Sequence, residues 1–373
     1  MFGKSLVIGR IYGIPVKIHF SFLLIIPFLT LAFGNSIQLL ARTAGVPAEK
    51  LLLNPYLSGL IMALALFVSV GLHELAHSRV AQKQGLKITS ITLMLLGGVA
   101  QIEEGLEDPK KELAIAIAGP VASLVIGSVL LVVFNFYPAD FFPDLKLIGI
   151  YLGQLNIFLA VFNLLPAFPT DGGRILRAVL TRWSSYLDAT RVATSVGRVF
   201  AFLFGLFGLF SGNYILIFIA VFIFMGASQE YQQTLLRTNL SDLKVRDLMT
   251  ENVSVVDENT TVEELLQKLL TELHSGYPVV TDGELTGCVT MKDIRKVDSN
   301  KRNEYRVKDF MSREIKDVTP DTELVQALSK LSRYDIGRLM VVEDGKLVGI
   351  ITRSDIMKGF RLHKLQQEIN VEA

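Results

Sequence analysis

His73-Glu74-Leu75-Ala76-His77 puts two imidazoles and a carboxylate within about one turn of a helix. Positions i and i+4 share a helix face, so both rings can converge on one cation with Glu74 beside them. Two neutral imidazoles suit zinc, and an adjacent glutamate suits taking a proton from water, which is the division of labour in a metallopeptidase. The same groups could instead form a hydrogen-bonded structural cluster or a proton relay in a transporter. A third ligand discriminates, because catalytic zinc usually has three protein ligands and one open position. Asp171 is the candidate: it follows Asn163-Leu164-Leu165-Pro166-Ala167-Phe168-Pro169-Thr170 and precedes Gly172-Gly173-Arg174. The prolines end a helix and the glycines free the backbone, so Asp171 is expected on a bent, non-helical segment. In isolation that segment reads equally well as a turn with a solvated aspartate.

The elements that must position these residues are membrane helices. Half of the 373 residues are hydrophobic and a fifth are charged, with a mean hydropathy of +0.43. Only 28 of the 73 charged residues lie in the first 230 positions, so a membrane domain, 1–230, precedes a linker, 231–243, and a soluble module. Six stretches are apolar enough to span: 16–33, 56–81, 113–136, 147–165, 189–210 and 214–228. The first is expected to be retained rather than cleaved as a signal, since Lys17 and His19 interrupt any apolar signal core. Thirteen basic residues fall on the side of the termini and three opposite, Arg42, Lys50 and Lys146. By the positive-inside bias both termini and the soluble module are cytoplasmic. On this topology the second and fourth spans run toward the cytoplasm, and His77 and Asp171 reach similar depth.

Between the second and third spans, 87–101 alternates partly and breaks at Gly97-Gly98, which is hairpin patterning. At membrane depth such a segment needs protein or a water-filled cavity over its polar backbone; the alternative is a surface loop at the cytoplasmic face. Gly97 and Gly98 are therefore candidate substrate contacts, where an extended peptide could add as a strand. His19 reads as an interfacial residue bonded to backbone, or as an accessory group near the metal. The net charge of +1 offers no basic excess for nucleic acid, and Cys288, the single cysteine, excludes an intrachain disulfide or a Cys-rich zinc site.

His73 to His77, the Asn163 to Arg174 signature and the Gly-Gly break between them resemble the site-2 protease family of intramembrane zinc metalloproteases, peptidase family M50. The resemblance covers residues 1 to about 230. It implies one zinc per chain on His73, His77 and Asp171, with Glu74 as general base and Asn163 as a polar lining residue. One departure is visible: after Ala118-Gly119-Pro120 many relatives carry an Asn two or three positions on, where this chain has Val121-Ala122-Ser123.

From Val245 the chain repeats at an offset of 62. Val245-Arg246-Asp247-Leu248-Met249 matches Val307-Lys308-Asp309-Phe310-Met311, and Thr290-Met291-Lys292-Asp293 matches Thr352-Arg353-Ser354-Asp355. Each copy, 244–300 and 306–365, reads as strand, apolar-periodic helix, hairpin at Asp-Gly and a helix opened by the aspartate. This resembles a tandem CBS pair, and with it the chain looks closest to archaeal-type members of the protease family. The resemblance implies an adenine nucleotide, AMP or ATP, with ribose on Asp293 and Asp355 and phosphate near Thr290 and Thr352. Thr-x-x-Asp is equally a helix-capping pattern. Dimerisation through the module is compatible with the resemblance.

The expected fold is thus a polytopic α-helical membrane domain of six transmembrane helices, with a β-like segment between the second and third, and a cytoplasmic α/β tandem CBS module. The expected function is a multi-pass cell-membrane zinc metalloendopeptidase cutting in or near transmembrane segments of substrate proteins, with nucleotide regulation through the module. The competing class is a CBS-regulated channel or transporter using His73, Glu74 and His77 as an ion site; such proteins usually repeat internally among their spans, and these spans do not.

Overall fold

The computed structural model describes residues 5–94, 97–102, 108–241, 243–295, 297–298 and 302–372, and side chains as far as residue 362 apart from that of residue 102. Two compact units divide the chain, Met1–Gln232 and Gln233–Ala373.

The first unit opens with an antiparallel hairpin, β1 (Ser5–Ile11) and β2 (Ile14–His19), turning at Tyr12 and Gly13, both left-handed. The first span was expected to begin at Val16, but the chain is extended there. Ile14 and Val16 alternate with Pro15 and Lys17, and the period of two favours a strand whose backbone groups β1 satisfies. Helix α1 (Phe22–Asn35) follows, and α2 (Ile37–Thr43) leaves it at a bend of 64°.

Asn54 caps α3 (Pro55–Lys83) by accepting from the Tyr56 amide, with proline at the first helical position. Beyond it, β3 (Ile88–Met94) and β4 (Gly97–Ile102) form the expected hairpin, whose residues 95 and 96 lie outside the described residues. β3 also pairs in parallel with β2, so the sheet order is β1-β2-β3-β4. Four long elements and one short one complete the unit: α4 (Pro109–Phe136), α5 (Pro143–Asn163), α6 (Asp171–Leu180), α7 (Tyr186–Ser211) and α8 (Tyr214–Leu240). Among the described residues five helices, α3, α4, α5, α7 and α8, are long and apolar enough to cross a membrane, and the bent α1–α2 pair makes a sixth if it counts as one span.

Close helix packing puts the site helices in place. A Cβ on Gly127 of α4 would stand 2.9 Å from the Gly153 carbonyl oxygen of α5, so only small residues allow this crossing. Asn156 of α5 is buried and donates to Ser69 Oγ of α3 at 3.0 Å, one turn before His73. Outward-facing Val125, Val129 and Val132 of α4 are each more than half exposed, a surface suited to hydrocarbon.

In the second unit the 62-residue repeat reappears as an exchange of segments. The first copy holds α9 (Val262–Glu272), β5 (Gly276–Thr281), β6 (Glu284–Thr290) and α10 (Met291–Ile294). The second holds β7 (Asp317–Val318), α11 (Leu324–Arg333), β8 (Arg338–Glu343), β9 (Lys346–Thr352) and α12 (Arg353–Glu372). Thr250 of the first copy exchanges backbone bonds with Ile350 of the second, at 2.9 and 3.0 Å; Cys288 and Ser312 do the same at 2.9 Å in the opposite sense. Gly287 and Gly349 make room for these crossings, since a Cβ on either would stand 2.9 Å from a methionine sulfur, Met311 or Met249 respectively. Each copy therefore completes the other's sheet, and the pair is one folding unit. Residues 231–240 of the expected linker are the last turns of α8, and Leu240 is buried in the second unit's core with Val245 and Leu324.

A candidate metal centre

His73 and His77 lie on one face of α3, 3% and 8% exposed, and Asp171, 9% exposed, comes to them from the start of α6. Asp171 Oδ2 stands 3.2 Å from His73 Nε2 and 3.1 Å from His77 Nε2, and the two ring nitrogens are 3.1 Å apart. The turn with a solvated aspartate is therefore excluded for Asp171.

The protonation of the rings follows from their outer partners. His77 Nδ1 lies 2.7 Å from the Ile115 carbonyl oxygen, which can only accept, so Nδ1 carries the proton and Nε2 presents a lone pair. His73 Nδ1 is 2.9 Å from Ser123 Oγ, which likewise orients the ring. With His73 Nδ1 donating to Ser123 Oγ, three acceptors face one another, an arrangement that repels unless a cation stands among them. Their separations suit the purpose: a tetrahedral ion with bonds of about 2.0–2.1 Å sets its ligand atoms about 3.3 Å apart. Two imidazole nitrogens and one carboxylate oxygen are a donor set that zinc accepts, and the three side chains line a cavity.

That cavity, of about 580 Å³, is lined by His73, His77 and Asp171 together with Glu74, Gly97, Gly98, Asn163 and Arg174. His73, Glu74, His77, Gly97, Gly98, Asn163 and Asp171, all singled out from sequence, thus reach one space. Gly98 lies directly against Glu74, whose carboxyl carbon would be 3.0 Å from an added Cβ. Asn163 bonds back to the Leu159 carbonyl of its own helix at 3.0 Å while lining the cavity. His19 instead bonds locally, with Nδ1 2.8 Å from Ser21 Oγ, and is not among the lining residues.

Two features differ from expectation. Asp171 is the first residue of α6 and not part of a non-helical segment; the irregular stretch is 164–170, closed by the Thr170 hydroxyl donating to the Leu165 and Ala167 carbonyls at 2.7 Å. Gly172 and Gly173 are helical, and what they provide is close approach: a Cβ on Gly173 would stand 2.6 Å from the Phe168 amide nitrogen, and one on Gly172 would run into the Leu164 and Leu165 carbonyls. Helix α6 is laid against the chain that precedes it, and this carries Asp171 back to α3.

Two residues of α4 were missed as site residues. Gly119 lets α4 pass the rings, and Ser123, the position where many relatives were expected to carry a nearby Asn, is the partner of His73. The signal for Gly119 was present in Ala118-Gly119-Pro120, but its reason, two imidazoles one atom away, lies in another helix.

The CBS-type residues fall into two equivalent caps. Thr290 Oγ1 donates to Asp293 Oδ2 and Thr352 Oγ1 to Asp355 Oδ2, each at 2.7 Å, with the threonine amides donating to the same oxygens at 3.1 Å. The capping pattern is therefore realised at both copies, and each aspartate commits one oxygen to it.

Comparison with known proteins gives two family models: Peptidase family M50 over residues 61–145 and 144–204, and the CBS domain over 245–300 and 307–361. A zinc metalloprotease of Methanocaldococcus jannaschii is 38% identical over 368 residues, covering 98% of both chains. The solved site-2 protease from Methanocaldococcus jannaschii is 38% identical, covering 61% of this chain and 95% of its own, with a TM-score of 0.44. The structure of CBSX2 in complex with AMP is 32% identical over 32% of this chain and 98% of its own, with a TM-score of 0.31.

Substitution at α4 tests the centre. Gly119→Ala would place a methyl 2.6 Å from His73 Nε2 and closer still to His77 Nε2, so the variant is expected to purify without its metal. Ser123→Ala only releases His73 Nδ1 and is expected to weaken binding about 10- to 100-fold. Metal analysis and chelator competition measure both, and a full metal complement in the Gly119 variant would rule the triangle out as the site.

Proposed function

The chain belongs to peptidase family M50, and from that membership we propose that His73, His77 and Asp171 hold one zinc per chain and that Glu74 is the general base. It is an intramembrane zinc metalloprotease of the site-2 protease type, which sets aside the ion-channel or transporter reading. The observation that carries the residue assignment is the meeting of three lone-pair atoms, all within 4.8 Å of one another, beside the cavity that Glu74 lines.

Bound there, zinc supplies a Lewis acid for the scissile carbonyl and lowers the pKa of water toward 7. Glu74 takes the proton of the attacking water and returns it to the leaving amide nitrogen. The Ile115 carbonyl holds His77 in the tautomer whose Nε2 lone pair points inward, Ser123 orients the His73 ring, and the buried position of the triangle keeps bulk solvent from competing. Substrates are transmembrane proteins. A helical substrate hides its carbonyls in i to i+4 bonds, so it must unwind before attack. β4 offers an edge for the unwound segment: among the described residues it pairs with β3 alone in the sheet, and Gly97 and Gly98 line the cavity. Asn163, which also lines the cavity, supplies a polar contact to substrate.

The finer topology is read as six spans, with α1 and α2 together as the first, and with both termini and the CBS module cytoplasmic, on the thirteen-to-three distribution of basic residues. The domains are 1–230, a linker over 231–243 that begins as the last turns of α8, and CBS units 244–300 and 306–365. An adenine nucleotide, AMP or ATP, at Thr290, Asp293, Thr352 and Asp355 regulates the enzyme, and the module can support a homodimer. AMP in the related CBSX2 structure favours this ligand class.

Three outcomes check these assignments. Purified protein is expected to carry about one zinc, lost in His73→Ala and Asp171→Ala; Glu74→Gln is expected to keep zinc while cleavage falls about 10²- to 10⁴-fold. Zinc retained in Asp171→Ala would reject the ligand set. Proline placed in turn from Gly98 to Gln101 is expected to lower cleavage about 2- to 10-fold wherever an outward N–H is lost; insensitivity at every position would reject docking on β4. AMP binding to the full chain, measured calorimetrically, is expected to weaken about 10- to 100-fold in Asp293→Ala or Asp355→Ala, and wild-type affinity in both would exclude these aspartates from the nucleotide site.

A further inference from the structure

A second group of charges is buried in the membrane domain, away from the ligand triangle. Arg177 of α6 is 4% exposed and Glu112 of α4 is 2% exposed. Arg177 Nε donates to both Glu112 carboxylate oxygens, at 3.1 and 3.3 Å, and Nη2 donates to Oε1 as well. Nη1 reaches Glu230 Oε1 of α8 at 2.6 Å. The guanidinium also lies over the rings of Phe168 and Tyr186, with centroids at 4.8 and 4.7 Å.

Taking the Arg177 and Glu112 charges out of water is costly, and replacing such a pair by apolar packing is often neutral or stabilising, so stability alone does not account for it. Its place in the chain does. Glu112 precedes by three residues Ile115, whose carbonyl orients His77. Phe168 precedes Asp171 by three residues, and Arg177 follows it by six on the same short helix. Asp171 makes its side-chain contacts to His73 and His77. Its carboxylate is thus located by the backbone of α6, which the guanidinium joins to the part of α4 that sets one ring.

We propose that Arg177, paired with Glu112, is a positioning residue for the metal centre: the pair fixes α6 against α4 so that Asp171 Oδ2 meets both imidazoles at bonding geometry. This rests on Asp171 being a zinc ligand. Arginine is required because its planar fork serves two carboxylates at once while stacking on the rings, which an ammonium cannot do. Glu230 is the outer arm, with 26% of its side chain exposed, and steadies the guanidinium from α8.

The test uses the full-length enzyme in detergent, with zinc affinity from chelator competition and the visible absorption bands of the cobalt-substituted protein as reports of ligand geometry. R177K and E112Q are expected to lose about 10- to 100-fold in zinc affinity, to shift the cobalt bands, and to lower kcat with KM within about twofold. E230Q is expected to lose about threefold or less in zinc affinity. E112D keeps both charges and shortens one arm by a methylene, so it remains informative if R177K does not fold; it must shift the cobalt bands too. Wild-type zinc affinity and cobalt bands in R177K, E112Q and E112D, with losses confined to Tm, would overturn the proposal and leave a structural brace. Asp171→Ala separates the two readings. If it retains zinc, the ligand assignment fails and this inference with it; if it loses zinc while the other variants bind normally, this inference fails alone.

Discussion

Three hydrogen-bond acceptors brought together where water is scarce repel one another unless a cation joins them, and the membrane domain is organised around that constraint. His77 cannot relieve it by moving its proton inward, because the Ile115 carbonyl holds the proton on Nδ1. The same holds for His73 when Nδ1 donates to Ser123. A divalent ion held by these three groups would offset the cost of desolvating the carboxylate. What remains for the fold is to deliver an aspartate to a histidine pair nearly a hundred residues earlier in the chain.

Delivery depends on missing side chains as much as on present ones. Gly119 lets α4 run past the imidazoles, Gly98 lets β4 lie against Glu74, and Gly172 and Gly173 let α6 fold back onto the segment that follows α5. Each is a place where a methyl group would collide with a functional atom or with the backbone carrying one. Close approach allows a short helix to present Asp171 at its first residue with little freedom, since two buried contacts to the rings and the segment 164–170 leave it nowhere else to go.

The C-terminal unit applies the same economy in another form. The two copies are completed by each other, through paired backbone bonds at Thr250–Ile350 and Cys288–Ser312, so neither copy is whole alone. The Thr-x-x-Asp pairs serve as caps at the start of α10 and α12, and one carboxylate oxygen of each is already engaged. A nucleotide binding there must share the remaining acceptor capacity with the local backbone, a direct physical route from ligand to helix terminus.

The residues that meet at the cavity were legible from spacing: imidazoles four apart on an apolar helix, an acid beside them, and an aspartate after a helix-ending pair of prolines. The repeat offset of 62 likewise announced two equivalent units. These are properties of nearest neighbours and of helical or strand periodicity, which short stretches of chain set for themselves. The N-terminal hairpin was hidden because Val16, Ile18 and Phe20 lead directly up to the apolar run of α1 despite Lys17 and His19, and average hydropathy over a span-length window cannot separate a short strand from the start of a span. The roles of Gly119 and Ser123, the helical setting of Asp171 and the Arg177 group were decided only by tertiary structure. Each is defined by an atom on a different helix, and distance across a packed interface is not written in the order of residues along any one element.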